Sequence, residues 1–178
     1  MDTLLLFLAA LLAQSASAAD PGVGSPVVGG AAVEAGRWDD AAVLMSNGLG
    51  YCSGTLIHPE WVLTAGHCLS GGPPDLVVIG TKNWFDPAQG HRLETAETFQ
   101  YPASHATYDI GLVRLAAPSV VPPRVLAADC VVAADLVDGA SAWIVGFGAT
   151  DEEGRTFQPL LNEAVTTLDD ADCSESTV

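Results

Sequence analysis

Short β-like runs, each closed off by turn residues, set the limits on what this chain can fold into. Residues 41–45, 51–57, 61–64, 76–79, 110–115, 142–147 and 163–168 are apolar or alternating stretches. Between them stand Asn47-Gly48, His58-Pro59, Gly71-Gly72-Pro73-Pro74, Asp86-Pro87 and Asp138-Gly139. Proline has no N–H to donate, and Gly and Asn accept the positive φ of tight turns, so these pairs stop any regular element that meets them. No apolar stripe of period 3.6 runs through the chain, and no repeat at solenoid spacing is present. Many short strands at similar spacing predict an all-β barrel or sandwich. Eighteen glycines and eleven prolines among 178 residues agree with so many turns.

The length allows one domain or slightly more. A content of 49% hydrophobic and 16% charged residues is that of a globular chain, not a disordered one. Twenty-two acidic against six basic residues leave a net charge of −16. Such a surface repels phosphate backbones and anionic lipid, which argues against nucleic acid or a membrane surface as partner.

The first residues carry an export signature. Residues 4–13 read LLLFLAALLA, shorter than the about 20 residues needed to span a bilayer but the length of a signal-peptide core. Ala16-Ser17-Ala18 follows as an A-x-A cleavage pattern. Met1-Asp2-Thr3 lacks the usual Lys or Arg, which leaves an uncleaved anchor or a different start as alternatives. We expect residues 1–18 to be a cleaved signal peptide and 19–26 a short propeptide-like spacer, giving a secreted, extracellular protein. Cys52, Cys68, Cys130 and Cys173 then read as disulfide cysteines, with three pairings open.

Two segments carry candidate chemistry. In Trp61-Val62-Leu63-Thr64-Ala65-Gly66-His67-Cys68, an apolar strand delivers a histidine beside a cysteine. A bridge from Cys68 to Cys52 would tie two strands together there, stabilise the fold by roughly 3 kcal/mol, and hold His67 in place as a general base requires. Taken alone, His67 reads as an ordinary histidine beside a structural cystine. A metal site is not expected, because His58, His67, His91 and His105 form no i, i+4 pair and an oxidised Cys68 is no ligand. In Tyr108-Asp109-Ile110-Gly111-Leu112-Val113-Arg114-Leu115, an aspartate opens an apolar run. Its carboxylate either caps the strand in solvent or pairs with a histidine N–H, fixing the imidazole tautomer. Val27-Val28-Gly29-Gly30 and the Gly146-Phe147-Gly148 corner that ends an apolar run are weak signals singly.

In this order, VVGG, CSGTLI with WVLTAGHC, YDIGLVRL and VGFG resemble the chymotrypsin/trypsin family of serine proteases from Val27 to about Cys173. The resemblance implies two six-stranded antiparallel β-barrels with an active site between them. It assigns residues 27–119 to a first, complete barrel bearing the catalytic His67 and Asp109. Residues 120–178 become a linker, with 118–123 (PSVVPP) at its start, and a second barrel only begun. Val27 becomes the activation N-terminus and Cys52–Cys68 a disulfide. The implied activity is a secreted serine-type endopeptidase made as a zymogen. It needs no cofactor or metal, acts as a monomer on protein or peptide substrates, and is open to protein inhibitors.

Several departures qualify that picture. No Gly-Asp-Ser-Gly-Gly occurs, the nearest miss to Gly-x-Ser-x-Gly is Gly139-Ala140-Ser141-Ala142-Trp143, and Ser174 and Ser176 lie in an acidic tail. The nucleophile and its oxyanion hole are therefore missing, and the chain as given is expected to be an inactive fragment. The alternative is a non-catalytic homologue acting as a secreted binding protein. Pro26 stands where a trypsin-like activation cut would need Lys or Arg. Cys130 and Cys173 pair either with each other or with cysteines outside this sequence. Asp86 and Glu94, at a place where relatives can bind calcium, read as solvated loop charges, and Arg155 as a surface arginine open to nicking. Trp143, Ile144 and Val145 are expected to lack a core partner, since two strands cannot close a barrel.

Overall fold

The structure is a computed structural model, described here for residues 30–86, 88–102, 108–127, 136–148 and 158–168. Val27, His105, Cys130, Arg155, Cys173, Ser174, Ser176 and residues 1–18 fall outside these residues. Strands β1 (Ala31–Ala32), β2 (Ala41–Ser46), β3 (Leu49–His58) and β4 (Trp61–Thr64) precede a 3-10 turn at Gly66–Leu69. After it come β5 (Leu76–Ile79), β6 (His91–Gln100), β7 (Gly111–Leu115), β8 (Ser141–Gly146) and β9 (Asn162–Thr167).

Six strands close into a barrel in the order β2-β3-β4-β7-β6-β5, with every neighbouring pair antiparallel. The β2–β3 hairpin turns on Asn47 and Gly48, whose φ values of 51° and 79° are the successive positive angles that match strand twist. Asp75 Oδ2 accepts the Asn47 N–H at 2.8 Å and steadies that turn. The all-β expectation is met, with a closed barrel as its centre.

The apolar residues form two clusters. Ala42, Leu44, Leu56, Val62, Val77, Ile79, Val113 and Leu115 fill the barrel interior, with Cys68, Leu69 and Leu93 at its margin. Ala41, Val43, Met45 and Val78 point the other way and meet Val33, Trp84, Phe147 and Leu161. Strand β2 therefore feeds both clusters, which explains why its AAVLM run is apolar throughout instead of alternating.

The second cluster joins the barrel to a three-stranded sheet of order β1-β9-β8. Its first strand comes from the beginning of the described chain, in the register Ala31↔Glu163 and Ala32↔Asn162. The Val33 N–H extends that contact by donating to Leu161 O at 3.0 Å. Residues 31–32 thus pair with β9 and not with the barrel, although they precede every barrel strand in sequence.

Seven strands lie where the sequence placed them, within two residues at each end. Two others had no advance signal. Strand β6 reads HRLETAETFQ and buries only Leu93, and a register shift between Thr95 and Glu97 breaks its alternation. Strand β1 is two residues long and exists only through its partner. The segment after β7 is tied back to the barrel. The Arg124 N–H donates to Leu56 O at 2.7 Å, and Arg124 Nε to Asp40 Oδ2 at 2.9 Å. The Asp40 hydrogen bond raises the guanidinium pKa above its ordinary value, more than partial burial lowers it.

Candidate active site

Strands β4 and β7 pair with Thr64 opposite Gly111. The chain leaves β4 directly into the Gly66–Leu69 turn, and Asp109 sits two residues before Gly111. The end of one strand and the start of the other therefore bring His67 and Asp109 together across 42 positions of sequence.

Asp109 holds His67 at two points. Its Oδ1 accepts the His67 backbone N–H at 2.7 Å, and its Oδ2 lies 2.6 Å from His67 Nδ1. A carboxylate only accepts, so Nδ1 carries a proton, and in the neutral ring the lone pair is then on Nε2. Nε2 lies 3.6 Å from Cys68 Sγ, a sulfur that has no proton to donate because it is bonded to Cys52. The His67 side chain is 60% exposed and that of Asp109 33% exposed, so solvent reaches the imidazole. Of the two sequence readings of Asp109, the histidine partner is the one the structure contains.

Two glycines make the approach close enough. A Cβ on Gly66 would stand 3.1 Å from both Asp109 Oδ1 and Ile110 O. A Cβ on Gly111 would stand 2.7 Å from Leu69 Cδ1 and 3.2 Å from Ala65 O. Both lie inside the motifs that first drew notice, but nothing in the sequence says that they face each other's segments. The histidine turn is also pinned from behind. Cys52 and Cys68 form a disulfide with their Cα atoms 6.1 Å apart, and Thr64 Oγ1 donates to Ser53 O at 2.8 Å.

Among the described residues, Cys52, His67 and Cys68 are the one group of three potential metal ligands close enough to share an ion. Both sulfurs are consumed by the disulfide, so no thiolate remains to bind one. Asp86 serves its own turn, accepting from the Ala88 N–H at 2.9 Å and Gln89 Nε2 at 2.8 Å, while Glu94 is exposed on β6.

A family model described as Trypsin matches residues 27–178. Chymotrypsin-like elastase family member 1 of Canis lupus familiaris is 33% identical over 173 residues, covering 88% of this chain. The chain spans 65% of that relative's length. Among solved structures, the VesB protease of Vibrio cholerae superimposes with a TM-score of 0.66 at 25% identity, over 78% of this chain and 43% of that one. Human heparin binding protein gives 0.69 at 18% identity, over 84% of this chain and 69% of that one.

Proposed function

We propose, because this chain belongs to the trypsin family of serine proteases, that His67 and Asp109 are the proton-transfer pair of a secreted serine endopeptidase. The observation that carries this reading is the double engagement of Asp109 with His67, which puts a proton on Nδ1 and, in the neutral ring, the lone pair on Nε2 of an exposed side chain. A base in that state takes the proton of an attacking serine hydroxyl and later returns it to the leaving amine. Asp109 orients the ring and stabilises the imidazolium that forms between those steps. The disulfide beside the histidine fits an oxidising, extracellular setting, as does the leader at residues 1–18.

The nucleophilic serine is not among these 178 residues, so on this reading the chain by itself lacks turnover. Protein or peptide substrates, protein inhibitors and a monomeric state belong to the same proposal. Heparin binding, which one structural neighbour's name states, does not transfer to this chain. Six basic residues against twenty-two acidic ones oppose a polyanion.

The test is to read the coding sequence past Val178 and assay the resulting polypeptide on peptide esters. With a Gly-Asp-Ser-Gly-Gly segment following, Asp109→Asn is expected to lower kcat by about four orders of magnitude, since the wrong tautomer would present a proton and not a lone pair. An Asp109→Asn enzyme as fast as the parent sinks the assignment. Ester turnover by the 178-residue chain above its own His67→Ala control overturns instead the expectation that this chain by itself lacks turnover.

A further inference from the structure

Ser53 stands where three elements meet. Its Oγ accepts the backbone N–H of Phe147 at 2.8 Å, at the corner that ends β8. Its carbonyl accepts Thr64 Oγ1 at 2.8 Å, three residues before His67. Its neighbour Cys52 is bonded to Cys68, the residue after His67. One residue of β3 therefore touches the second sheet and, through two short links, the histidine turn.

The contact is shaped for that hydroxyl. Phe147 is buried, and its N–H lies past the last paired residue of β8, where no ladder partner among the described residues receives it. A buried N–H requires an acceptor, and Ser53 supplies one. Gly146 permits the approach, since a Cβ there would fall 2.9 Å from Ser53 Oγ and 3.3 Å from its Cβ. An alanine at position 53 would keep the steric fit and leave the Phe147 N–H without its acceptor.

Taking His67 as the proton-transfer group proposed above, we propose that Ser53 is a positioning residue, fixing the Gly146–Phe147 corner of the second sheet against the histidine turn. The disulfide and the Thr64 hydroxyl carry the position of that corner to His67. Loss of the hydroxyl lets the corner and the histidine turn shift relative to each other while the barrel stays closed.

The experiment uses the 178-residue chain with Ser53→Ala and Ser53→Thr, read by NMR amide exchange at Phe147 and Val113 and by the His67 ring resonances. For Ser53→Ala we expect Phe147 exchange at least tenfold faster, Val113 unchanged, and the His67 ring signals displaced. Ser53→Thr, which keeps the hydroxyl, is expected to restore all three. Unchanged Phe147 exchange in Ser53→Ala overturns the proposal. Equal loss of protection at Phe147 and Val113 does the same, because it marks general destabilisation. Unmoved His67 signals show that the contact holds the sheet without positioning the histidine, and a Ser53→Thr chain that behaves like Ser53→Ala removes the hydroxyl from the explanation. No readout requires turnover, so a failed hydrolysis assay counts against the catalytic reading alone.

Discussion

The barrel and the three-stranded sheet are built from similar apolar strands, yet they bury them very differently. In the barrel each strand has two neighbours, and Leu44, Val62, Val77 and Val113 have no exposed surface. In the sheet Trp143 and Ile144 are each 50% exposed and Val165 56%. Trp143 and Ile144 are adjacent on β8 and point to opposite faces, so solvent reaches the sheet from both sides. What holds the sheet in place is its ends and its flank. Phe147 and Leu161 enter the second cluster, Val145 packs against it and so does have the core partner it was expected to lack, and Glu163 receives both Arg37 and Trp38. Arg37 lies over the Trp143 ring at 4.8 Å, and the Trp38 and Trp143 rings are 6.3 Å apart. An apolar strand pattern thus gives burial only where the topology offers a second layer.

The contrast can be tested by paired substitutions. Leu44→Ala in the barrel should cost about 2–5 kcal/mol, while Ile144→Ala on the sheet should stay within about 1 kcal/mol. Denaturant midpoints measure both, and equal losses would mean that the sheet is packed as tightly as the barrel. Replacing Cys52 and Cys68 together by Ala should cost roughly 3 kcal/mol, because the bridge closes a loop of 16 positions. That loss belongs to barrel amides, and exchange rates that rise first in β8 and β9 would reverse the comparison.

Glu163→Ala tests the sheet's own anchorage. It removes an acceptor shared by Arg37 and Trp38, for an expected loss of about 1 kcal/mol, since the Arg37 side chain is partly exposed. Amide exchange should quicken in β1 and β9 and leave Val113 unaffected. A loss spread evenly over the chain would show one cooperative unit. The smallest effect belongs to Arg114, whose Nη2 meets Glu97 Oε2 at 3.1 Å on the outer barrel face. Arg114→Ala should change stability by less than about 0.5 kcal/mol and become neutral in high salt. A larger, salt-insensitive loss would make that face part of the packed structure.

Much of the site was legible because its parts are local. A short apolar strand ending in Ala-Gly-His-Cys puts a histidine at the barrel rim, and an aspartate opening an apolar run puts a carboxylate at a strand end. The roles of Ser53, Gly66 and Glu163 were not legible. Ser53 has the same sequence neighbours whether or not Phe147 arrives beside it. Glu163 sat inside a predicted strand as an unremarked acid, yet it is buried because two residues from the far end of the chain come to it.

Seven of the nine described strands, and the turns between them, follow from local pattern, since alternation, Asn47-Gly48 and the proline pairs act over a few residues. The sequence also offered His67 and Asp109 as candidates for proton transfer. Long-range pairing set β4 beside β7 with Thr64 opposite Gly111, made β6 a strand, and joined residues 31–32 to β9. Those outcomes depend on closing the sheet on itself. Closure joins segments tens of residues apart, where a polar strand gains its hydrogen bonds from its neighbours and not from its own pattern.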